Sequence, residues 1–182
     1  MNLIIQVLDE INIQDVDQAN GEFMIDSQLV LHSENNKITY SIIEHPPTKK
    51  QYDQDEIDYT TYLDNPDRIV LLAYIDGKAV GHIVLRKNWN NYAYIDYVAV
   101  DARSRGMGVG QALMAQAKKW AQTKQLPGIV AETQNCNVRA CQYYERCGFE
   151  IGGFDNFLYK GLTPDTNEVA VYWYFFFDNT NP

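Results

Sequence analysis

The chain has 182 residues, 46% of them hydrophobic, which is enough for one α/β domain with a real core. Its formal net charge of -9 would repel a phosphate backbone, so we expect no nucleic acid partner and favour a small cationic one. No run approaches the length of a transmembrane helix, and the N-terminus lacks the pattern of a signal peptide, so we predict a cytoplasmic protein with no membrane partner.

Three cysteines, Cys136, Cys141 and Cys147, lie close together late in the chain. Their odd number and the absence of CxxC spacing indicate reduced thiols. The three histidines are far away in sequence, whereas a structural metal site needs four converging ligands. We therefore predict no metal.

The first predicted strands lie in an irregular, acidic N-terminal third. Residues 23–31 predict one strand, and residues 37–44, which are rich in β-branched and aromatic residues, predict a second, with a turn at 34–36. Pro46 and Pro47 should end the second of these strands.

The sequence patterns of strands and helices become clearer from residue 69 onward. Residues 69–75 and 78–86 flank the turn Asp76-Gly77 and predict a hairpin, and residues 92–100 predict the next strand. Apolar residues at helical spacing predict a helix over residues 110–124.

The rest of the chain continues the alternation of strand and helix. We predict a strand over residues 129–133, a helix over 137–146 and an aromatic strand over 168–177. This order indicates an α/β (α+β) fold around a mixed sheet.

A glycine-rich turn, residues 103–110, joins a predicted strand to a predicted helix. Glycine permits positive φ angles and close approach of the backbone to a ligand, and the first amides of a helix attract an anion. The turn fits a pyrophosphate cradle, but it also fits a tight strand-to-helix connection without a ligand. It is neither a P-loop nor a dinucleotide fingerprint, because the spacing differs from both.

Two blocks of the sequence resemble the GNAT family of N-acetyltransferases. Residues 105–110 (RGMGVG) are similar to the family's acyl-CoA signature, Arg/Gln-x-x-Gly-x-Gly/Ala, and follow Val100 as that signature follows a strand. Residues 137–149 (NVRACQYYERCGF) are similar to the block Asn-x-x-Ala-x-x-Phe/Tyr-Tyr-x-x-x-Gly-Phe. The two blocks occur in the family's order and at about its spacing, and the resemblance covers about residues 69–160.

The resemblance implies a GNAT fold, with a mixed, mostly antiparallel central sheet, helices on both faces and a splayed pair of strands for acetyl-CoA. It implies one N-acetyltransferase domain over residues 1–182. Within it, residues 1–68 form the acceptor side, 69–160 the acetyl-CoA-binding core and 161–182 the C-terminal strand.

Acetyl-CoA is the co-substrate that the resemblance implies. In the family the pantetheine arm pairs with backbone groups of a strand, here near Val98 and Val100, like an added strand. The turn amides then hold the pyrophosphate, and Asn137 hydrogen-bonds the arm, although Asn137 is equally natural as a helix N-cap. The implied contact residues are Val98, Ala99, Val100, Arg105, Gly106, Met107, Gly108, Val109, Gly110, Asn137 and Tyr144.

The resemblance also implies catalytic residues. Tyr144 matches the tyrosine that protonates the departing thiolate, and a phenol with a pKa near ~10 keeps its proton at neutral pH. The alternative for Tyr144 is a core aromatic, and Tyr143 is expected to pack. Asp96 is the preferred base, on the same strand face as Tyr94, Val98 and Val100 by alternation. Glu132 is the second candidate base, with a strand-end structural role as its alternative.

Beyond these motifs the chain is similar to the streptothricin acetyltransferases, a group within the family. The similar stretches are residues 62–67, 85–96, 132–134, 148–153, 158–159 and 172–174. Tyr97 departs from this group, whose members often carry an acid there. The resemblance implies acetylation of an amine on the β-lysine moiety of streptothricin, and hence antibiotic resistance.

A cationic antibiotic suits an acidic protein with aromatic residues on its acceptor side. The expected acceptor-binding residues are Tyr59, Tyr62, Trp89, Tyr94, Asp96, Glu132 and Asp155. Four of them, Tyr59, Tyr62, Trp89 and Asp155, suggest a closed, acidic pocket. Two alternatives stay open: acetylation of polyamines, peptide N-termini or protein lysines, and a silent acyl-CoA sensor. Either a monomer or a homodimer is compatible with the sequence.

Overall fold

The structure is a computed structural model that describes residues 2–18, 23–50 and 57–177. The strands of this described part are β1 (Leu3–Val7), β2 (Phe23–Glu34), β3 (Lys37–Lys50), β4 (Arg68–Ile75), β5 (Lys78–Lys87), β6 (Ala93–Val100), β7 (Gly128–Gln134), β8 (Glu150–Asp155) and β9 (Ala170–Phe176). The α-helices are α1 (Val109–Thr123) and α2 (Val138–Arg146), and short 3-10 helices lie at Ile13–Gln18, Tyr59–Tyr62, Ala102–Ser104 and Leu158–Gly161.

The chain divides into two compact units. Among the described residues, the first unit holds 2–18, 57–129 and 177, and the second holds 23–50 and 130–176. β7 crosses the boundary, since Gly128 and Ile129 belong to the first unit and the rest of the strand to the second.

The first unit is built on four antiparallel strands in the order β1-β4-β5-β6. Helix α1 packs against these strands through a buried stripe that includes Leu113, Met114 and Ala117. The apolar cluster that contains Val70 and Val84 packs against half-buried tyrosines. The strands that lead to the turn at the start of α1 are therefore packed by both groups of apolar side chains.

β6 contains a β-bulge at Asp96. Val84 of β5 lies opposite Tyr97, but the next residue, Leu85, lies opposite Ile95. Asp96 is thus the extra residue that has no partner across the ladder. A bulge of this kind changes the direction in which side chains point along the strand.

The bulge changes the predicted face of β6. Residues directly opposite one another share a face, so Tyr94 lies on the face of Arg86, and Asp96 hydrogen-bonds that arginine. Val98 and Val100 lie opposite Ile83 and Gly81 of β5, which are on the face of the strand opposite to that of Arg86. The expected grouping of Asp96 with Val98 and Val100 is wrong, because the alternation was counted through the bulge.

The second unit contains the strands β7-β9-β8, with β8 and β9 antiparallel, and a separate two-stranded sheet of β2 and β3. Helix α2 contacts β2. Asn135, which follows β7, exchanges hydrogen bonds with the backbone of Leu29 and so joins β2 to the end of β7.

Pro46 and Pro47 do not end β3, which continues to residue 50, so that prediction is wrong. The register passes from Ser27 opposite Glu44 to Ile25 opposite Thr48. The prolines therefore sit in a bulge, where the ladder does not need their missing N–H groups.

The other predicted helices and strands are confirmed to within a few residues. The sequence did not predict β1, β8 or the 3-10 helices. The prediction for the end of the chain extends beyond residue 177, where the described residues stop.

Candidate active site

The glycine-rich turn has an open, left-handed backbone. Gly106 has φ 81° and Gly108 φ 84°, and no heavy atom lies within 4 Å of a Cβ built at either residue. Gly108 is the N-cap of α1, which begins at Val109, one residue earlier than predicted. Since the first amides of a helix lack intrahelical partners, this open backbone leads directly into a helix end of the kind that attracts anions.

The side chains around the turn fix its shape. Asp101 accepts a hydrogen bond from the Arg103 backbone N–H (2.9 Å), and Arg105 Nε donates to the Val100 carbonyl (3.0 Å). Met107 is exposed, and Gly110 lies in the first turn of α1. Arg105 thus ties the turn to the end of β6.

The expected pantetheine-binding residues lie at the C-terminal end of β6. Ala99 is buried, whereas Val98 and Val100 are half-buried. All three pair with β5, and Val100 lies opposite Gly81, where a Cβ would stand 2.7 Å from the Ala99 carbonyl oxygen. The glycine therefore permits close packing of the two strands at this point.

Both carboxylate oxygens of Asp96 are engaged within the first unit. Arg86 Nε donates to Oδ1 (2.9 Å), and the Tyr62 hydroxyl lies 3.4 Å from Oδ2. Burial raises the pKa of Asp96 above its usual value, and the Arg86 charge opposes that rise. Asp96 is therefore a desolvated carboxylate that is already paired with a cation.

Aromatic rings surround this ion pair. The Arg86 guanidinium lies 4.8 Å from the Tyr94 ring centroid, and that of Arg68 lies 5.4 Å from the Tyr62 ring. Tyr59 packs near Tyr62, with ring centroids 6.5 Å apart. Of the expected acceptor residues, the structure thus brings Tyr59, Tyr62, Tyr94 and Asp96 together.

Tyr97, the residue that departs from the streptothricin group, packs against His82. Its ring centroid lies 5.2 Å from that of the buried His82, which also contacts Tyr59 edge-on. Trp89 lies in the loop between β5 and β6 with 90% of its surface exposed. The structure does not place Trp89 in an enclosed pocket, contrary to the expectation of a closed site around it.

Glu132 lies on β7 in the second unit and accepts a hydrogen bond from the Tyr159 hydroxyl at Oε1. Burial raises the pKa of Glu132, and the bond from Tyr159 opposes that rise. The charges of Glu132 and Asp155 help to raise the pKa of Tyr172, behind burial as the main cause. These four side chains form what we call the Glu132 cluster.

Asp155 of this cluster also stabilises a turn of the backbone. Its Oδ1 accepts hydrogen bonds from the backbone N–H groups of Phe157 (2.7 Å) and Leu158 (3.1 Å). These bonds shape the turn that leads into the 3-10 helix with Tyr159. Asp155, expected to bind the acceptor, therefore also holds a neighbour of Glu132 in place.

Tyr144 lies on the buried side of α2, with 3% of its surface exposed. Its ring is stacked on Trp173 (centroids 6.3 Å apart) and meets Phe149 edge-on. Trp173 Nε1 in turn donates to the Thr133 hydroxyl (3.0 Å). The ring of Tyr144 is therefore fixed by its packing, a role that is compatible with proton donation by its hydroxyl.

Asn137 is the N-cap of α2, since its Oδ1 accepts a hydrogen bond from the Ala140 backbone N–H (3.2 Å). The capping role proposed as its alternative is confirmed. Tyr143, on the next position to Tyr144, is half-buried and its ring contacts that of Tyr144. Burial is the main cause that raises the pKa of Tyr143.

Arg86, Tyr159 and Tyr172 were not recognised as site residues from the sequence. All three lie in stretches that resemble the streptothricin acetyltransferases, and that similarity was the available signal. Their partners depend on a bulge and on a 3-10 turn, neither of which the sequence pattern specified.

Cys136, Cys141 and Cys147 are free thiols. Within residues 2–18, 23–50 and 57–177, no group of His, Cys, Asp or Glu side chains is arranged to hold a metal ion. No helix in this described part is long and apolar enough to cross a bilayer.

Comparison with known proteins identifies the family. Residues 36–149 match the family model "Acetyltransferase (GNAT) family". Streptothricin acetyltransferase A of Bacillus subtilis (strain 168) is 34% identical over 96% of this chain and 100% of its own length. Streptothricin acetyltransferase of Escherichia coli is 37% identical over 87% of each chain.

A solved structure gives the same result. A crystal structure from Bacillus anthracis str. Ames, provisionally named as a streptothricin acetyltransferase and in complex with acetyl coenzyme A, is 43% identical with a TM-score of 0.90. The match covers 98% of this chain and 99% of that chain. The chain belongs to the GNAT family of acetyltransferases, and the predicted GNAT fold, with its mixed, mostly antiparallel sheet, is confirmed.

Proposed function

We propose that this protein transfers the acetyl group of acetyl-CoA to an amine of a streptothricin-type antibiotic, on its β-lysine moiety, and so inactivates the drug. The observation that carries the proposal is the similarity to streptothricin acetyltransferases over nearly the whole chain, including 34% identity over 96% of it. Such similarity extends well beyond the cofactor motifs, which many members of the family share.

The glycine-rich turn supports the choice of acetyl-CoA. The space in which a Cβ would lie at Gly106 and Gly108 is open, which supports close approach of a pyrophosphate to the backbone there. Acetyl-CoA supplies the acetyl group as a thioester. Residues 105–110 hold its pyrophosphate, residues 98–100 offer strand backbone to its arm, and Asn137 adds a side-chain contact.

We expect Gly108→Asn to weaken acetyl-CoA binding by about tenfold or more, equivalent to ~1.4 kcal/mol or above. Asparagine tolerates a left-handed backbone better than other side chains, so the fold should persist while its side chain fills the cradle. Calorimetry on the purified variant would measure the dissociation constant.

Gly77→Asn is the matched control. Gly77 has φ 82°, also has no heavy atom within 4 Å of a built Cβ, and lies in the β4–β5 hairpin turn. The two variants should therefore lose similar thermal stability, and Gly77→Asn should keep its affinity for acetyl-CoA. If a folded Gly108→Asn variant binds acetyl-CoA as tightly as the wild-type protein, the assignment of this turn as the pyrophosphate site is wrong.

We assign the general base to Glu132. Its Oε1 accepts from Tyr159, and no hydrogen bond to Oε2 is seen among the described residues, so that oxygen can accept a proton from an amine. Asp96 has a donor on each oxygen, one of them a guanidinium that stabilises its charged form. This reverses the preference that the sequence gave to Asp96.

Tyr144 is the general acid in this proposal. The aromatic cluster fixes its ring, so that its hydroxyl is preorganised to donate a proton to the departing sulfur. The proton that it donates converts the departing thiolate into the thiol of coenzyme A, while Glu132 takes the proton of the attacking amine.

The acceptor side suits a cation. The rings of Tyr62 and Tyr94 each have an arginine guanidinium of this chain over one face, and this supports a role for these aromatic rings in binding a cation. The net charge of -9 would attract a cationic drug over a longer range. Asp96, through its ion pair with Arg86, fixes the orientation of this aromatic group.

The direct test mixes purified protein, acetyl-CoA and streptothricin and follows the product by mass spectrometry. We expect one added acetyl group, located on the β-lysine part by fragmentation, and a Michaelis constant that rises with salt because exposed charges are screened. Bacteria that express the gene should survive nourseothricin, a streptothricin mixture, and stay sensitive to kanamycin. Transfer to polyamines or peptides with streptothricin untouched would show that the acceptor is wrong.

A further inference from the structure

The Glu132 cluster contains a hydrogen bond that holds the proposed base itself. The Tyr159 hydroxyl donates to Glu132 Oε1, so one oxygen of the carboxylate is occupied by a neutral donor. A donor of this kind restricts rotation of the carboxylate. It also leaves Oε2 as the oxygen that can receive a proton.

The backbone around Tyr159 holds its ring at this place. The Tyr159 carbonyl accepts hydrogen bonds from the N–H groups of Leu162 (3.0 Å) and Thr163 (2.9 Å). On its N-terminal side, Asp155 caps the turn through the N–H groups of Phe157 and Leu158. Tyr159 thus reaches Glu132 from a short helix that is anchored at both ends.

On the basis of the proposed function, we infer that Tyr159 is a positioning residue for the base, and that its hydroxyl orients Glu132 and stabilises its ionised form. A hydrogen bond to a carboxylate favours the charged state. A buried carboxylate needs such a donor, because desolvation favours the protonated acid, which cannot act as a base.

Other groups near Glu132 do not replace this donor. Burial raises the pKa of Tyr172 on β9, and the charges of Glu132 and Asp155 add to that rise. Asp155, at the end of β8, is a carboxylate and offers Glu132 no hydrogen-bond donor. Tyr159 is therefore the group that works in the required direction, since its hydrogen bond lowers the pKa of Glu132.

The test is Tyr159→Phe, which keeps the ring and removes the donor. We expect the acidic limb of the pH profile of kcat/KM to move to higher pH, because Glu132 then protonates more easily. At about pH 6 the loss of kcat/KM should be about tenfold, and it should shrink as pH rises through the new limb. A purely structural role would lower activity equally at all pH values.

Tyr40→Phe is the matched control. Tyr40 also donates to a carboxylate oxygen of the second unit, Glu145 Oε2 at 2.9 Å, on an exposed part of the protein. It should leave the pH profile unchanged. In a Glu132→Gln background, Tyr159→Phe should cost nothing further on the acidic side, because no titrating base remains.

The outcomes separate this inference from the proposed function. Wild-type protein that leaves streptothricin unacetylated refutes the function itself. Wild-type protein that acetylates it, with an unmoved acidic limb in folded Tyr159→Phe, refutes the role of Tyr159 alone. The role is also refuted if Tyr159→Phe still shifts the limb when Glu132 is glutamine.

Discussion

Tyr144→Phe should lower kcat by about 100-fold or more, the usual effect of losing a general acid. The ring of Tyr144 is 3% exposed and packed between Phe149 and Trp173, so phenylalanine keeps every ring contact. The hydroxyl alone is lost, and the affinity for acetyl-CoA should change little. Stopped assays of thiol release and calorimetry on the same preparation would measure both quantities.

Tyr143→Phe is the control for this result. Tyr143 lies on the same helix, and its ring contacts that of Tyr144, so the substitution removes a neighbouring phenol from the same environment. It should retain kcat within about threefold. If Tyr144→Phe keeps wild-type turnover, Tyr144 is not the general acid. Its burial is then explained by packing alone.

The sequence predicted the glycine turn and both helices because these depend on local signals. Gly108 ends a strand-to-helix connection, and Asn137 caps α2 with its own side chain, as a cap should. Such features are decided within four or five residues. The turn could therefore be placed to within one residue of where α1 begins.

β8 was missed because its sequence contradicts its structure. Gly152 and Gly153 lower strand propensity, and they suggest a loop. In the structure the Tyr174 ring of β9 lies against Gly152 and leaves no room for a Cβ there. The glycine is thus required by a tertiary contact with a residue 22 positions later, which no local pattern reveals.

The direction of Asp96 could not be predicted for a related reason. Strand alternation holds only while the ladder is regular, and the bulge in β6 breaks it at Asp96 itself. The choice between Asp96 and Glu132 as the base depends on which groups hydrogen-bond to each carboxylate. Arg86 lies ten residues from Asp96, and Tyr159 lies 27 residues from Glu132, so neither pairing is visible as a motif.

Glu132→Gln should lower kcat/KM by about 100-fold or more and abolish the acidic limb of its pH profile. A base must be ionised to accept a proton, and burial raises the pKa of Glu132, so wild-type activity should fall as pH drops through that raised pKa. Glutamine cannot titrate, so the variant should be slow at every pH. Initial rates across a pH series, with streptothricin as acceptor, would show both effects.

Asp96→Asn is the comparison that decides between the two carboxylates. Asp96 is paired with Arg86, and its loss leaves that guanidinium without its carboxylate partner beside the Tyr94 ring. The Michaelis constant for the antibiotic should therefore rise, while the acidic limb set by Glu132 stays, and kcat should fall less than in Glu132→Gln. If Asp96→Asn removes the limb and Glu132→Gln preserves it, Asp96 is the base. Glu132 would then be a structural residue at the end of its strand, and its bond from Tyr159 would serve the fold alone.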